Sequence, residues 1–234
     1  MDRRRFREAQ CGDGGGFAWG KELPILTEKS ETSGGLGAYL LQDLTVARWI
    51  REDAPTTHFD VGSRIDGFVA NVAAFREIEV IDIRPAPGKI PNVVFHQHDV
   101  MGKCPPEWKN SLPSVSCLHT IEHFGLGRYG DPIDPAGHEK GIARLKEMVA
   151  PGGILYLSTP IGTQRIEFNA HRIFAAATLF EWFADGWVIE RFALIDDDTQ
   201  LHEKVALDIA GISRNFGCEC GVGILAVRKG SVRA

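Results

Sequence analysis

The sequence predicts an α/β fold, a doubly wound, mostly parallel seven-stranded sheet with helices on both faces. Short runs rich in β-branched residues alternate with stretches of helical periodicity, the pattern of strand–helix–strand units. Most of those runs are apolar at consecutive positions, as strands covered on two sides must be. Polar residues gather just after the runs, where open α/β sheets bind ligands. With 234 residues and 44% apolar content the chain can build one full hydrophobic core, so residues 37–234 are read as a single domain.

The elements follow in order. Residues 1–36 are rich in Gly, Ser, Lys and Glu, are broken by Gly14-Gly15-Gly16 and Gly34-Gly35, and are expected to form a flexible arm. Its Arg3, Arg4, Arg5 and Arg7 cluster is read as a solvated tail. From Gly37, Leu40, Leu44, Ala47 and Ile50 recur at helical spacing through AYLLQDLTVARWIRED, which Asp53-Ala54-Pro55 stops. His58–Val61, Glu79–Ile83, Val93–His96, Ser114–Leu118 and Ile154–Ser158 are predicted as buried strands. Between the first two, Asp66 is expected to cap a helix whose inner stripe is Phe68, Val69, Val72 and Phe75. Before the fifth, Ile142, Leu145 and Met148 form another stripe, ended by Pro151-Gly152-Gly153. A helix through Leu179, Phe180 and Phe183 leads to a closing pair of strands, Trp187–Leu194 and Gly223–Arg228.

Composition excludes several classes of function. A formal net charge of −5 with 24% charged residues argues against a nucleic-acid partner or an anionic membrane surface. No apolar run approaches the ~20 residues of a membrane span, and the N-terminus lacks the apolar stretch of a secretory signal. Five cysteines, Cys11, Cys104, Cys117, Cys218 and Cys220, are an odd number in a chain long enough to fold without staples, so reduced thiols and a soluble, cytoplasmic protein are expected.

Four strand ends are polar in an ordered way. The first reads Asp60-Val61-Gly62-Ser63-Arg64-Ile65-Asp66-Gly67, an acid on the strand and then a glycine that permits a tight turn. The second ends in Asp82, 20 residues beyond Gly62, where a carboxylate can accept the hydroxyls of a ribose. The third ends in His98-Asp99, a carboxylate able to accept from an exocyclic adenine amine. The fourth, His119-Thr120-Ile121-Glu122-His123, faces the same crevice from its other side.

Over roughly residues 57–229 these pieces resemble the class I S-adenosylmethionine-dependent methyltransferases: FDVGSRIDG, EVIDIRP, QHDV, SVSCLHTIEHFG and LKEMVAPGGILYLSTP. HTIEHFGLGRYGDPIDP and IEFNAHRIF are more narrowly similar to an uncharacterised methyltransferase-like family whose members often accompany cell-surface polysaccharide biosynthesis. The resemblance implies a Rossmann-like fold, S-adenosylmethionine as cofactor, and methyl transfer to an oxygen or nitrogen of a small or glycan-type acceptor. It places Asp60 and Gly62 beside the methionine part of the cofactor, Asp82 at the ribose, Asp99 at the adenine and His119 near the acceptor, with Ser63 also at the cofactor. Arg64 and Asp66 depart from the pattern, since glycines are expected there.

In-line methyl transfer needs chiefly positioning, with a base where the acceptor is a hydroxyl. His119, His123 and His171 are the candidate bases, with Glu122 or Asp131 to orient one of them. A metal reading on His119, His123, Asp131, Asp134 and His171 has no close triad to fix its geometry, and no metal is expected. Cys218-x-Cys220 reads as two thiols on one strand face. The loop FGLGRYGDPIDP is the candidate substrate gate. Two rivals remain open: a non-catalytic Rossmann-like module with a degenerate cofactor loop, and a nicotinamide-linked oxidoreductase that lacks the Gly-x-Gly-x-x-Gly turn.

Overall fold

The computed structural model describes residues 4–6, 21, 35–86 and 88–231. The chain divides into Met1–Gly35 and Leu36–Ala234, and the sheet lies in the second unit. The expected arm falls almost wholly outside the described residues.

The central sheet has eight strands: β1 (Phe59–Val61), β2 (Ile78–Asp82), β3 (Val93–Gln97), β4 (Leu112–Leu118), β5 (Val149–Ile161), β8 (Trp187–Ile195), β9 (Leu201–His202) and β10 (Gly221–Lys229). Their order is β3-β2-β1-β4-β5-β10-β8-β9. The first five are mutually parallel, whereas β10, β8 and β9 pair antiparallel. This is the predicted doubly wound sheet with one strand more than the seven expected. The addition is a two-residue strand, too short to show alternation in sequence. It forms because the Asp196 carboxylate accepts from the Asp198 and Gln200 amides and turns the chain back onto β8.

Among the described residues α1 (Ala38–Asp53), α2 (Ile65–Val69 running into Ala70–Ala73), α3 (Gly137–Met148) and α4 (Ala176–Glu181) cover the sheet, and the exposed α5 (Ile209–Ser213) packs beside α4. Strand alternation sorts the core into two layers. Leu155 and Leu157 of β5 pack with Ile142, Leu145 and Met148 of α3 and with Leu179 of α4. Ile154 and Tyr156 point the other way, toward Val46, Trp49 and Ile50 of α1 and Phe68 and Val72 of α2.

Several local expectations are corrected. In α1, Ala47 and Ile50 are buried, but Leu40 and Leu44 are 43% and 52% exposed; Gln42, Asp43 and Thr45 turn inward instead. Asp66 does not cap α2, because its carboxylate takes the Arg64 guanidinium. Phe75 lies beyond the last turn of α2 and is largely exposed, leaving Phe68, Val69 and Val72 as the inner stripe. The helix before β5 ends at Met148, and Pro151-Gly152-Gly153 fall inside β5, at a register irregularity opposite Leu112 and Ser114. The polar stretch after β5 forms a separate hairpin of β6 (Arg165–Glu167) and β7 (His171–Ile173).

Candidate functional site

The strand order reverses between β1, from which the chain proceeds outward to β2 and β3, and β4, to which it returns. Such a reversal leaves a crevice beyond the carboxyl ends of the strands. A cavity of about 450 Å³ opens there, lined by the ends of β1, β2 and β4, the loop after β3, α1 and the loop containing Tyr129. Among the predicted residues, Gly62, Ser63, Asp82, Asp99, His119 and His123 line it; Asp60, Glu122 and His171 do not.

Asp60 is fully buried and serves the loop beneath the cavity. It accepts from the Ser63 amide and hydroxyl and from the Ser116 hydroxyl. Burial raises its carboxyl to about 6, against those bonds, which favour the charged form. Ser116 links onward to His58, which is also fully buried and which bonds Ser114 through its other nitrogen. Since Ser116 donates to Asp60, the His58 Nε2–H donates to Ser116 and Nδ1 accepts from Ser114, as a neutral ring requires. Desolvation holds His58 near 3. Gly62 has φ +74, and a Cβ there would come within 2.4 Å of the Thr120 methyl, so this turn presses directly against the β4 loop.

Asp82 lies at the tip of β2 with both carboxylate oxygens engaged by Arg84, through the Arg84 amide and a two-pronged guanidinium contact at 2.6 and 2.9 Å. The Arg84 guanidinium stacks 4.6 Å over the Tyr129 ring. Asp99 accepts from the Met101 amide. Arg64 and Asp66, at the positions where glycines were expected, pair with each other at the cavity wall. Sequence reasoning reached Tyr129 only as part of the candidate gate loop and missed Arg84, whose only signal was its position two residues past the acid.

His119 follows β4 with φ +47, a left-handed conformation that costs roughly 1 kcal/mol in a non-glycine residue. A relay of side chains holds it. Its amide donates to the Ser158 carbonyl and hydroxyl oxygens; Ser158 donates to Gln42, and Gln42 to Asp43. The His119 Nδ1 stands 2.8 Å from the Glu122 carboxylate, which is buried. With Nδ1–H donating to Glu122, Nε2 carries the lone pair, and this buried atom has no hydrogen-bond partner among the described residues. The Tyr39 ring lies 4.8 Å from the His119 ring.

His123 donates through Nδ1 to the Ala170 carbonyl, and burial lowers its basicity. His171 sits outside the cavity, 3.3 Å from Glu167. Asp131, expected as a partner for histidine, instead accepts from the amides of Gly125, Gly127 and Tyr129 and folds their loop. The buried Arg172 clamps the same loop through the carbonyls of Glu122, Phe124 and Pro135. Among the described residues no group of three or more His, Cys, Asp or Glu is placed to hold a metal ion, and no helix is long and apolar enough to cross a membrane.

Residues 97–204 match a family described as "Caenorhabditis protein of unknown function, DUF268". No curated protein sequence matches the chain. Solved structures share the fold. The N-methyltransferase NodS from Bradyrhizobium japonicum WM9, in complex with S-adenosyl-L-homocysteine, is 14% identical at a TM-score of 0.53, with 81% of this chain and 84% of that one covered. A putative sarcosine dimethylglycine methyltransferase from Galdieria sulphuraria is 12% identical at 0.54, with coverage of 81% and 86%. The [4+2]-cyclase SpnF is 15% identical at 0.53, with coverage of 80% and 81%, so this fold also serves chemistry other than methyl transfer.

Proposed function

We propose that the cavity binds S-adenosylmethionine and that the protein transfers its methyl group to an oxygen or nitrogen of a small or glycan-type acceptor. The observation that carries the reading is the convergence of Asp82, Asp99 and the unpartnered Nε2 of His119 on one cavity at the strand-order reversal of a methyltransferase-like fold. The cavity suits a ligand of nucleoside size. In this reading Asp82 takes the ribose hydroxyls, Asp99 the adenine amine, and Gly62 and Ser63 border the amino-acid end. Asp60 contributes by fixing the loop that carries them. Bound there, S-adenosylmethionine supplies an electrophilic methyl group on a positively charged sulfur.

The chain's own residues do the rest. Glu122 fixes the His119 tautomer so that Nε2 accepts the acceptor's proton, and Tyr39 flanks the imidazole. His123 lines the acceptor side as a neutral ring, Tyr129 borders the same space, and the Arg172 clamp keeps its loop in place. The glycan-type acceptor rests on the sequence resemblance alone.

The test is transfer of tritiated methyl from S-adenosylmethionine to a panel of small-molecule and glycan acceptors. Label is expected in an acceptor with the wild type. His119→Ala is expected to lower turnover about a hundredfold, the usual contribution of a positioned base, with cofactor affinity unchanged. Loss of affinity and turnover together would remove His119 from the acceptor side. Tight cofactor binding with no transfer to any acceptor would favour the non-catalytic module.

A further inference from the structure

Five acidic side chains line the cavity: Asp43, Asp66, Asp82, Asp99 and Asp131. Four have evident local partners. Asp66 is paired with Arg64, Asp82 with Arg84, Asp99 with the Met101 amide, and Asp131 with three amides of its own loop. Asp43, on α1, has a single neutral donor as Asp99 does, but unlike Asp99 it is buried. It is only 8% exposed, and among the described residues its Oδ1 accepts a single bond, from the Gln42 side-chain amide at 3.0 Å, and its Oδ2 accepts none. A buried carboxylate with one neutral donor is costly unless a cation joins it. Burial holds this carboxyl above the ordinary carboxylate range against the Gln42 bond and the more distant His119 and Arg64, a shift that a cation in direct contact would reverse.

Its location narrows the cation's identity. Oδ2 lies 3.1 Å from where a Cβ on Gly67 would stand, so the carboxylate abuts the first turn of α2, the helix that follows β1. Through Gln42 and Ser158 it is tied to the His119 amide, at the reacting end of the cavity. Asp99 follows β3, two strands from β1, or roughly 10 Å away at ordinary strand spacing. A ligand with its base at Asp99 therefore reaches Asp43 with its opposite end. A lone pair on a carboxylate oxygen calls for an N–H donor; a sulfonium has none, whereas an ammonium offers three. The strand acid Asp60 cannot take this part, because Ser63 and Ser116 already occupy it and it does not line the cavity.

We propose that Asp43 seats the α-ammonium of an adenosyl ligand that carries an amino-acid tail, and so selects for ligands that keep that group. The proposal rests on the adenosyl reading of the cavity. It makes α1 part of the binding site, and it accounts for the polar inner face that Gln42 and Asp43 give this helix.

The experiment is calorimetric titration of the wild-type protein, Asp43→Asn and Asp43→Ser with two ligands: S-adenosylhomocysteine, which has the ammonium, and 5′-methylthioadenosine, which lacks the amino-acid tail. Both substitutions are expected to weaken S-adenosylhomocysteine about tenfold or more, the range for a hydrogen bond to a charged group, and to leave methylthioadenosine within about twofold. Equal weakening of both ligands would make Asp43 a support of α1, and no weakening of either would remove it from the site; each outcome overturns the proposal while the adenosyl reading stands. If the wild type binds neither ligand, the adenosyl reading fails and this proposal with it. Thermal melts of the three proteins separate loss of binding from loss of folding.

Discussion

Two aspartates at neighbouring strand ends, Asp60 and Asp82, look equivalent in sequence and differ in structure. Asp60 is sealed under the Ser63 turn, whereas Asp82 lines the cavity but is held by Arg84. The acids at strand tips were legible because a carboxylate there follows a run of β-branched residues. What fills each one was not legible, since a serine three residues on and an arginine two residues on carry no periodic signal. Arg84 and a ribose compete for the same oxygens, which gives a signed expectation. Asp82→Ala is expected to weaken S-adenosylhomocysteine by about tenfold or more, because the acceptor is lost. Arg84→Gln is expected to tighten it by up to about fivefold, in line with a half-exposed ion pair. Calorimetry on both variants checks this; weaker binding in Arg84→Gln would mean that the guanidinium itself touches the ligand.

At the scale of elements, β1 and β4 are joined beneath the cavity by His58, Ser114, Ser116 and Asp60 as well as by their ladder. The two titrating groups pull stability in opposite directions. His58, held near 3 from an ordinary 6.5, contributes stability that is present above pH 6.5 and lost as pH falls toward 3. Asp60, raised to about 6 from 3.8, contributes stability that is present below 3.8 and lost as pH rises through 6. Between pH 7 and 5 the unfolded chain takes up a proton at His58 while the folded chain takes one up at Asp60, so the two contributions oppose each other over the same window. His58→Gln, which keeps two hydrogen-bonding groups, leaves only the Asp60 contribution and is expected to tilt the slope over this window toward greater stability at the acid end. Thermal unfolding midpoints from pH 7 to 5 provide the check, and the same slope in both proteins would put the titration elsewhere. The strands of this region were readable because buried parallel strands are continuous apolar runs. The inner face of α1 was not, because its N-terminal half covers a polar cavity, so Gln42 and Asp43 stand where a core-facing helix would carry Leu40 and Leu44.

Across the whole molecule, the alternation of strands and helices was enough to predict a doubly wound sheet and to direct attention to its carboxyl edge. The hairpin of β6 and β7 and the edge strand β9 were missed because their pairing depends on turns and contacts distant in sequence, such as the Asp196 turn. The site is a product of this topology: the reversal between β1 and β4 brings Gly62 and His119 to one cavity, and α1 and the Tyr129 loop enclose it. The central claim is that this cavity takes an adenosyl ligand. Isothermal titration of the wild-type protein with S-adenosylmethionine, S-adenosylhomocysteine and NAD tests it most directly. Micromolar binding of both adenosyl ligands with no heat from NAD is the predicted result; no binding of either adenosyl ligand would contradict the account, and tighter binding of NAD would reassign the site to a dinucleotide.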